Sequence, residues 1–139
     1  MKREWREVSR DGIRAQWAGS YVTINPKGEI VINRATHERL EKAEAFQLLY
    51  DRPNNCIGLK PSSRQMRNAY PAYRSGRHGG RRVRAYKLLQ ECSIRIPQTL
   101  EFDNADIDED GILVLDLRTA RISNRALNHP TRRKGINKV

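Results

Sequence analysis

The sequence predicts a mostly β fold with short helices (α+β), built from two tandem β-hairpin–helix–β-hairpin units, and three observations carry that prediction. β-branched and aromatic residues come in short alternating runs. Gly, Pro, Asn and Asp punctuate those runs every few positions. The order of elements in the first half then returns in the second.

Taken in order, Tyr21-Val22-Thr23-Ile24 alternates as a half-buried strand does, Asn25-Pro26-Lys27-Gly28 is turn chemistry, and Glu29-Ile30-Val31-Ile32 resumes the strand. Asn33 to Glu44 contains no Gly or Pro and is rich in helix formers, which predicts a short helix. Ala45 to Tyr50 and Cys56 to Leu59 form a second hairpin around Asp51-Arg52-Pro53-Asn54-Asn55, with Pro61 closing the unit. Asn68 to Arg74 then makes an edge strand weakened by Pro71, because proline lacks the N–H a ladder needs. Ser75 to Gly80 is a turn and Arg81 to Ala85 its returning strand. Tyr86 to Cys92 is helical, Gln98 to Asp103 a strand, Asn104 to Gly111 a turn, and Ile112 to Leu117 an apolar strand.

Sliding the chain by 52 residues places Gly28 on Gly80, Val31 on Val83, Leu48 on Leu100, Tyr50 on Phe102 and Asp51 on Asp103 without a gap. Few identities are involved, but the element types agree as well, which favours a tandem duplication. The resulting plan has an N-terminal extension (1–19) packed on the core through Trp5 and Trp17, a first unit (20–62), a second unit (63–117), and a basic tail (118–139) disordered when free.

Charge narrows the function. The 139 residues carry 27 Lys plus Arg against 16 Asp plus Glu, a net charge of +11. Such an excess speaks to partners rather than fold, and phosphate backbones are the commonest polyanion, since each neutralised phosphate releases a counterion. The sign is also segregated. From Arg64 to Lys87 there are eight Lys or Arg and no acid; from Glu91 to Asp116 eight acids accompany Arg95 alone; beyond Asp116 no acid follows. Two cysteines, Cys56 and Cys92, are too few and too far apart for a disulfide framework or a zinc site. The polar opening Met1-Lys2-Arg3-Glu4-Trp5-Arg6 is not a secretory signal and no apolar run is long enough to span a bilayer. The expected place is therefore cytoplasmic, at the nucleoid if DNA is the ligand, with no membrane association and the oligomeric state left open.

The stretch Val22-Thr23-Ile24-Asn25-Pro26-Lys27-Gly28-Glu29-Ile30-Val31-Ile32, then Leu40, then Phe46 to Leu59, resembles the AbrB-like swapped-hairpin family of bacterial regulators and antitoxins. The resemblance implies two units that exchange hairpins to close one small barrel, here both within a single chain as in the family's tandem members. It also implies DNA binding. The sequence departs from the family where Ile-Pro commonly enters the helix: Ile32-Asn33 stands there, and Arg84-Ala85 in the second copy. A basic residue commonly follows the turn glycine, which Arg81 satisfies and Glu29 does not, so the resemblance places DNA contact on the second half.

The candidate interface is accordingly Arg64, Arg67, Arg74, Arg77, His78, Arg81, Arg82, Arg84 and Lys87, gathered into a continuous positive face. On a strand Arg82 and Arg84 share one side and Arg81 takes the other. Arg81, Arg82, Arg84 and Lys87 would meet base edges or phosphates, the rest would position the backbone, and Tyr70, Tyr73 and Tyr86 offer hydroxyls or stacking surfaces. The bland alternative is that these arginines pair with the acidic 101–110 segment. The first rival reading is an antitoxin-like or assembly protein whose basic 118–139 tail captures a partner, and the second is RNA binding, favoured by the tyrosines and plentiful Arg. Asp106 to Gly111 mimics the start of a calcium loop, but Leu117 stands where the bidentate Glu belongs, so it reads as a hairpin turn. His37, His78 and His129 lack metal-ligand companions, and no nucleophile or phosphate-loop motif occurs. Neither a cofactor nor a metal is expected, nor is an enzyme.

Overall fold

The computed structural model describes residues 3–5, 19–103 and 105–123. Among these residues eleven strands form two antiparallel sheets around one core, accompanied by two short α-helices and one 3-10 turn. The strands are β1 (Val22–Ile24), β2 (Glu29–Ile32), β3 (Ala45–Asp51), β4 (Cys56–Ser62), β5 (Tyr70–Pro71), β6 (Tyr73–Ser75), β7 (Gly80–Arg84), β8 (Leu100–Phe102), β9 (Asp106–Ile107), β10 (Leu113–Asp116) and β11 (Arg121–Ile122). The helices are α1 (Arg34–Arg39) and α2 (Tyr86–Glu91).

One sheet runs β11-β8-β1-β2-β7-β6 and the other β5-β3-β4-β10-β9. The first hairpins of both halves, β1–β2 and β6–β7, thus join in one sheet through β2–β7, while β3–β4 joins β9–β10 in the other through β4–β10. Alternation decides which side chains meet between the sheets. Val22, Ile24, Ile30, Ile32, Val83 and Phe102 face Phe46, Ile57, Leu59, Leu113 and Leu115, and all are buried. The sheets do not close into the expected barrel. Their edges are exposed but blunted, by Pro71 on β5, Arg74 on β6, Asp106 on β9 and Arg121 on β11.

The first hairpin turns as its residues dictate. Pro26 takes the second position, Gly28 N–H donates to the Asn25 carbonyl at 2.9 Å, and Gly28 sits at φ +84°, where a side chain is costly. Asn33 then caps α1: its Oδ1 accepts from Thr36 N–H at 3.0 Å while its Nδ2 donates to the Gly19 carbonyl at 2.8 Å. Asn33→Ala removes both bonds and is expected to cost about 1–2 kcal/mol, measurable by chemical denaturation.

Several expectations are corrected. The 33–44 helix stops at Arg39, because Glu41 and Lys42 turn left-handed and Lys42 N–H closes on the His37 carbonyl at 2.9 Å. The His37 ring latches that ending, Nε2 donating to the Ala43 carbonyl at 2.8 Å. Burying Leu40 and Phe46 outweighs helix propensity here. Pro61 lies inside β4, opposite Phe46, beyond the point where β10 stops pairing with that strand. The 68–74 strand breaks at Ala72, so that β5 belongs to one sheet and β6 to the other. The 104–111 turn contains the short β9. The Asp108 carboxylate accepts from Asp110 N–H and Ile112 N–H at 2.9 and 3.0 Å, the work of a turn residue. Trp5 is 85% exposed and does not pack on the core, its ring instead carrying the Arg3 guanidinium at 5.8 Å. Trp17 and residues 124–139 lie outside the described residues. The start of the expected tail is ordered: Leu117–Thr119 forms a 3-10 turn and β11 pairs with β8.

The 52-residue offset reappears in geometry. It relates both bounds of α1 to those of α2, left-handed Glu41 to left-handed Ser93, and the Lys42–His37 bond to the Ile94–Leu89 bond at 2.8 Å. The β2–β7 ladder joins segments 29–32 and 81–84, which the same offset relates, running antiparallel to each other. Packing between the halves is reciprocal as well. Tyr86, the first residue of α2, lies over Gly28 in the β1–β2 turn, and Arg34, the first residue of α1, lies over Gly79 in the β6–β7 turn.

Candidate nucleic-acid interface

The β6–β7 hairpin collects most of the predicted cations. Its register sets Arg74 opposite Arg81 and Tyr73 opposite Arg82. Because side chains alternate, Arg74 and Arg81 share one side of the ribbon while Arg82 and Arg84 share the other with Tyr73. Arg77 and His78 occupy the exposed tip, and Lys87 follows on α2. The expected continuous face is therefore a two-sided basic ribbon, since the four arginines on this strand pair, Arg74, Arg81, Arg82 and Arg84, alternate between its sides. Arg64 and Arg67 belong elsewhere, on the exposed 63–69 connection, where Arg64 N–H donates to Glu44 Oε1 at 3.0 Å. That connection leads into β5, which pairs with β3 in the other sheet.

The electrostatics of the ribbon are one-sided. Arg74 and Arg81 are like charges directly opposed, an arrangement that destabilises a sheet. Arg81 turns back over the tip, its Nη1 donating to the Gly79 and Gly80 carbonyls at 3.2 and 2.9 Å. Arg84 is exposed and stacks over the Tyr73 ring at 4.7 Å. Arg82 alone among the eight predicted Lys and Arg residues has a carboxylate within ion-pair distance among the described residues: Glu29 Oε2 lies 3.5 Å from its buried Nε.

Two acids of the 101–110 segment, Glu101 and Asp103, are engaged away from the ribbon. Glu101 accepts from the Tyr21 hydroxyl at 2.9 Å and from Arg121 at 3.4 Å, and Arg121 also pairs with Asp103. Arg118 pairs with Asp116 at 3.2 Å. Its side-chain and backbone hydrogen bonds hold the Asp116 carboxyl below the usual range, and the carboxylate in turn raises the guanidinium. The beginning of the basic tail is thus spent on internal carboxylates. Nearby, burial pushes the Cys56 thiol up, with Asp116 adding to the effect.

Two contributors escaped the sequence reading. Arg34 reaches the ribbon tip from α1: a Cβ on Gly79 would lie 3.0 Å from its Cδ, so the glycine is what lets this side chain cross the turn. Its guanidinium is bonded to Glu38 at 2.9 Å in an exposed i,i+4 pair. Glu29 reaches the other side of the ribbon from the first half. The offset that aligns Arg34 with Tyr86 was the signal that could have located the first; nothing local marks the second. Among the described residues no group of three or more His, Cys, Asp or Glu is arranged to hold a metal ion, and no helix is long and apolar enough to cross a membrane. Comparison with known proteins returns no matching family model, no matching curated protein and no matching solved structure.

Proposed function

We propose that this chain is a non-enzymatic DNA-binding protein, a transcriptional regulator by class, that engages duplex DNA through the β6–β7 ribbon. The observation that carries the reading is the ribbon's uncompensated charge. Arg74, Arg77, Arg81 and Arg84, with Lys87 beside them, have no carboxylate within ion-pair distance among the described residues, although acids are plentiful on the same chain. Opposing Arg74 and Arg81 costs stability unless an anion sits between them. A two-stranded ribbon fits the major groove of B-form DNA, whereas the deep, narrow major groove of an RNA duplex does not admit one.

Two hairpin–helix–hairpin units exchanging hairpins, in the AbrB-like manner, would produce the offset of 52, the mixed composition of both sheets and the reciprocal glycine contacts. The second half then supplies the DNA contacts and the first half supports them.

Titration of a fluorescent 20-base-pair duplex over a range of salt tests the proposal. Five released counterion sites predict a slope of log K on log salt of about −4.5. Affinity independent of salt would end the proposal. A single strand that competes better than duplex would transfer it to RNA or single-stranded DNA through Tyr73 and Tyr86, both exposed. Removing 126–139 should leave most of the affinity in place; a tail that only captures a protein partner predicts no DNA affinity in either form.

A further inference from the structure

Among the described residues Glu29 is the one carboxylate within ion-pair distance of a β6–β7 arginine, and its placement is specific. It belongs to β2, directly opposite Arg84 in the β2–β7 ladder, yet it does not engage Arg84. Its Oε2 lies 3.5 Å from Arg82 Nε instead, and Arg84 turns away onto Tyr73. The carboxylate is held in this choice by its own turn. Asn25 Nδ2 donates to Glu29 Oε1 at 3.0 Å, and Asn25 Oδ1 accepts from Glu29 N–H at 3.0 Å. Arg82 Nε is buried and makes no hydrogen bond, so what fixes this guanidinium is the charge beside it.

Resting on the DNA-binding reading of the ribbon, we infer that Glu29 of the first half is a positioning residue that withholds Arg82 from the nucleic acid. The first half then does more than lack a basic residue after its turn glycine. It carries an internal stand-in for a phosphate, which neutralises one arginine of the second half and leaves Arg84 as the cation presented on that side. The Asn25–Glu29 bracket acts through Glu29, and neither residue needs to touch DNA.

A two-by-two set of variants tests this: wild type, Glu29→Gln, Arg82→Gln and the double variant, each titrated with the same duplex between 50 and 200 mM salt. Releasing Arg82 in Glu29→Gln adds one counterion site, so the slope of log K on log salt should steepen by about 0.9, an extra gain of about threefold on lowering the salt across that range. In the Arg82→Gln background the same Glu29→Gln change should have little effect on the slope. An equal gain in both backgrounds would mean that Glu29 merely repels phosphate, and no gain in either would mean that Arg82 was never withheld; both overturn the inference. A measurement without ligand separates its failure from that of the DNA-binding reading. Exchange of the Arg82 Nε proton, followed by NMR, should accelerate in Glu29→Gln and in Asn25→Ala. If wild type binds no duplex, the DNA-binding reading fails, and unchanged exchange removes the restraint as well.

Discussion

Replacing Arg81 and Arg84 together by Glu is expected to weaken duplex binding by well over tenfold and to flatten its salt slope by about 2. The two residues stand on opposite sides of β7, Arg81 facing Arg74 and Arg84 resting on Tyr73, so the pair removes a cation from each side of the ribbon. Each reversal also places a carboxylate where a phosphate would sit, which adds repulsion to the lost contact. The fold should survive. Arg81 bonds only its own turn and its reversal relieves the opposition to Arg74, while the new carboxylate in place of Arg84 faces Glu29 across the β2–β7 ladder at a cost of up to about 1 kcal/mol. The control reverses Arg52 and Arg95, both exposed and off the ribbon, which lowers the net charge equally. If that control loses as much affinity as the ribbon variant, binding follows overall charge and the ribbon has no special role. Circular dichroism of both variants excludes unfolding as the cause.

Gly28→Ala should destabilise the protein far more than Gly79→Ala, although both glycines occupy corresponding turns and both are left-handed, at φ +84° and +83°. The conformational part is common to them, about 1–2 kcal/mol for an L-residue in that region. Surroundings separate them. A Cβ on Gly28 would fall 2.6 Å from the Tyr86 Cβ and 2.7 Å from its Cα, and a backbone atom at the start of α2 cannot withdraw without moving the helix. A Cβ on Gly79 would meet the Arg34 Cδ at 3.0 Å, the flexible part of an exposed side chain. Gly28→Ala is therefore expected to cost about 3–5 kcal/mol, lowering the unfolding midpoint by on the order of 10 °C or more, and Gly79→Ala about 1–2 kcal/mol. Equal losses would mean that the packing of α2 on the first turn contributes nothing beyond backbone conformation. Displacing Arg34 in Gly79→Ala should also slightly reduce DNA affinity at the ribbon tip.

The legible parts of this chain were those written in short stretches. Asn25-Pro26-Lys27-Gly28 specifies its turn by φ requirements, and the alternation of Val22, Ile24, Ile30 and Ile32 marks the buried side of a hairpin. Both need only neighbouring residues. The short helix expected in 33–44 is present at Arg34–Arg39, but its ending was not legible because it depends on distant partners: Leu40 and Phe46 must both enter a core completed by Leu113 and Leu115, and two left-handed residues accomplish the turn. The 68–74 strand failed similarly, since no local feature says that Tyr70 will pair in one sheet and Tyr73 in the other.

The same division holds for the candidate site. Run and sign of charge are properties of the linear chain, so the Arg-rich second half and the nine candidate residues could be named without coordinates. Which of those cations are neutralised is a matter of a few ångströms between residues far apart in the chain, and only folding decides it. Glu29 meets Arg82 across β2 and β7, Arg121 takes Glu101 and Asp103 across β11 and β8, and Arg34 crosses from α1 to the ribbon tip. Composition thus set the chemistry this protein offers to a partner, while strand register, through the two-residue alternation of side chains, set which charges remain on offer.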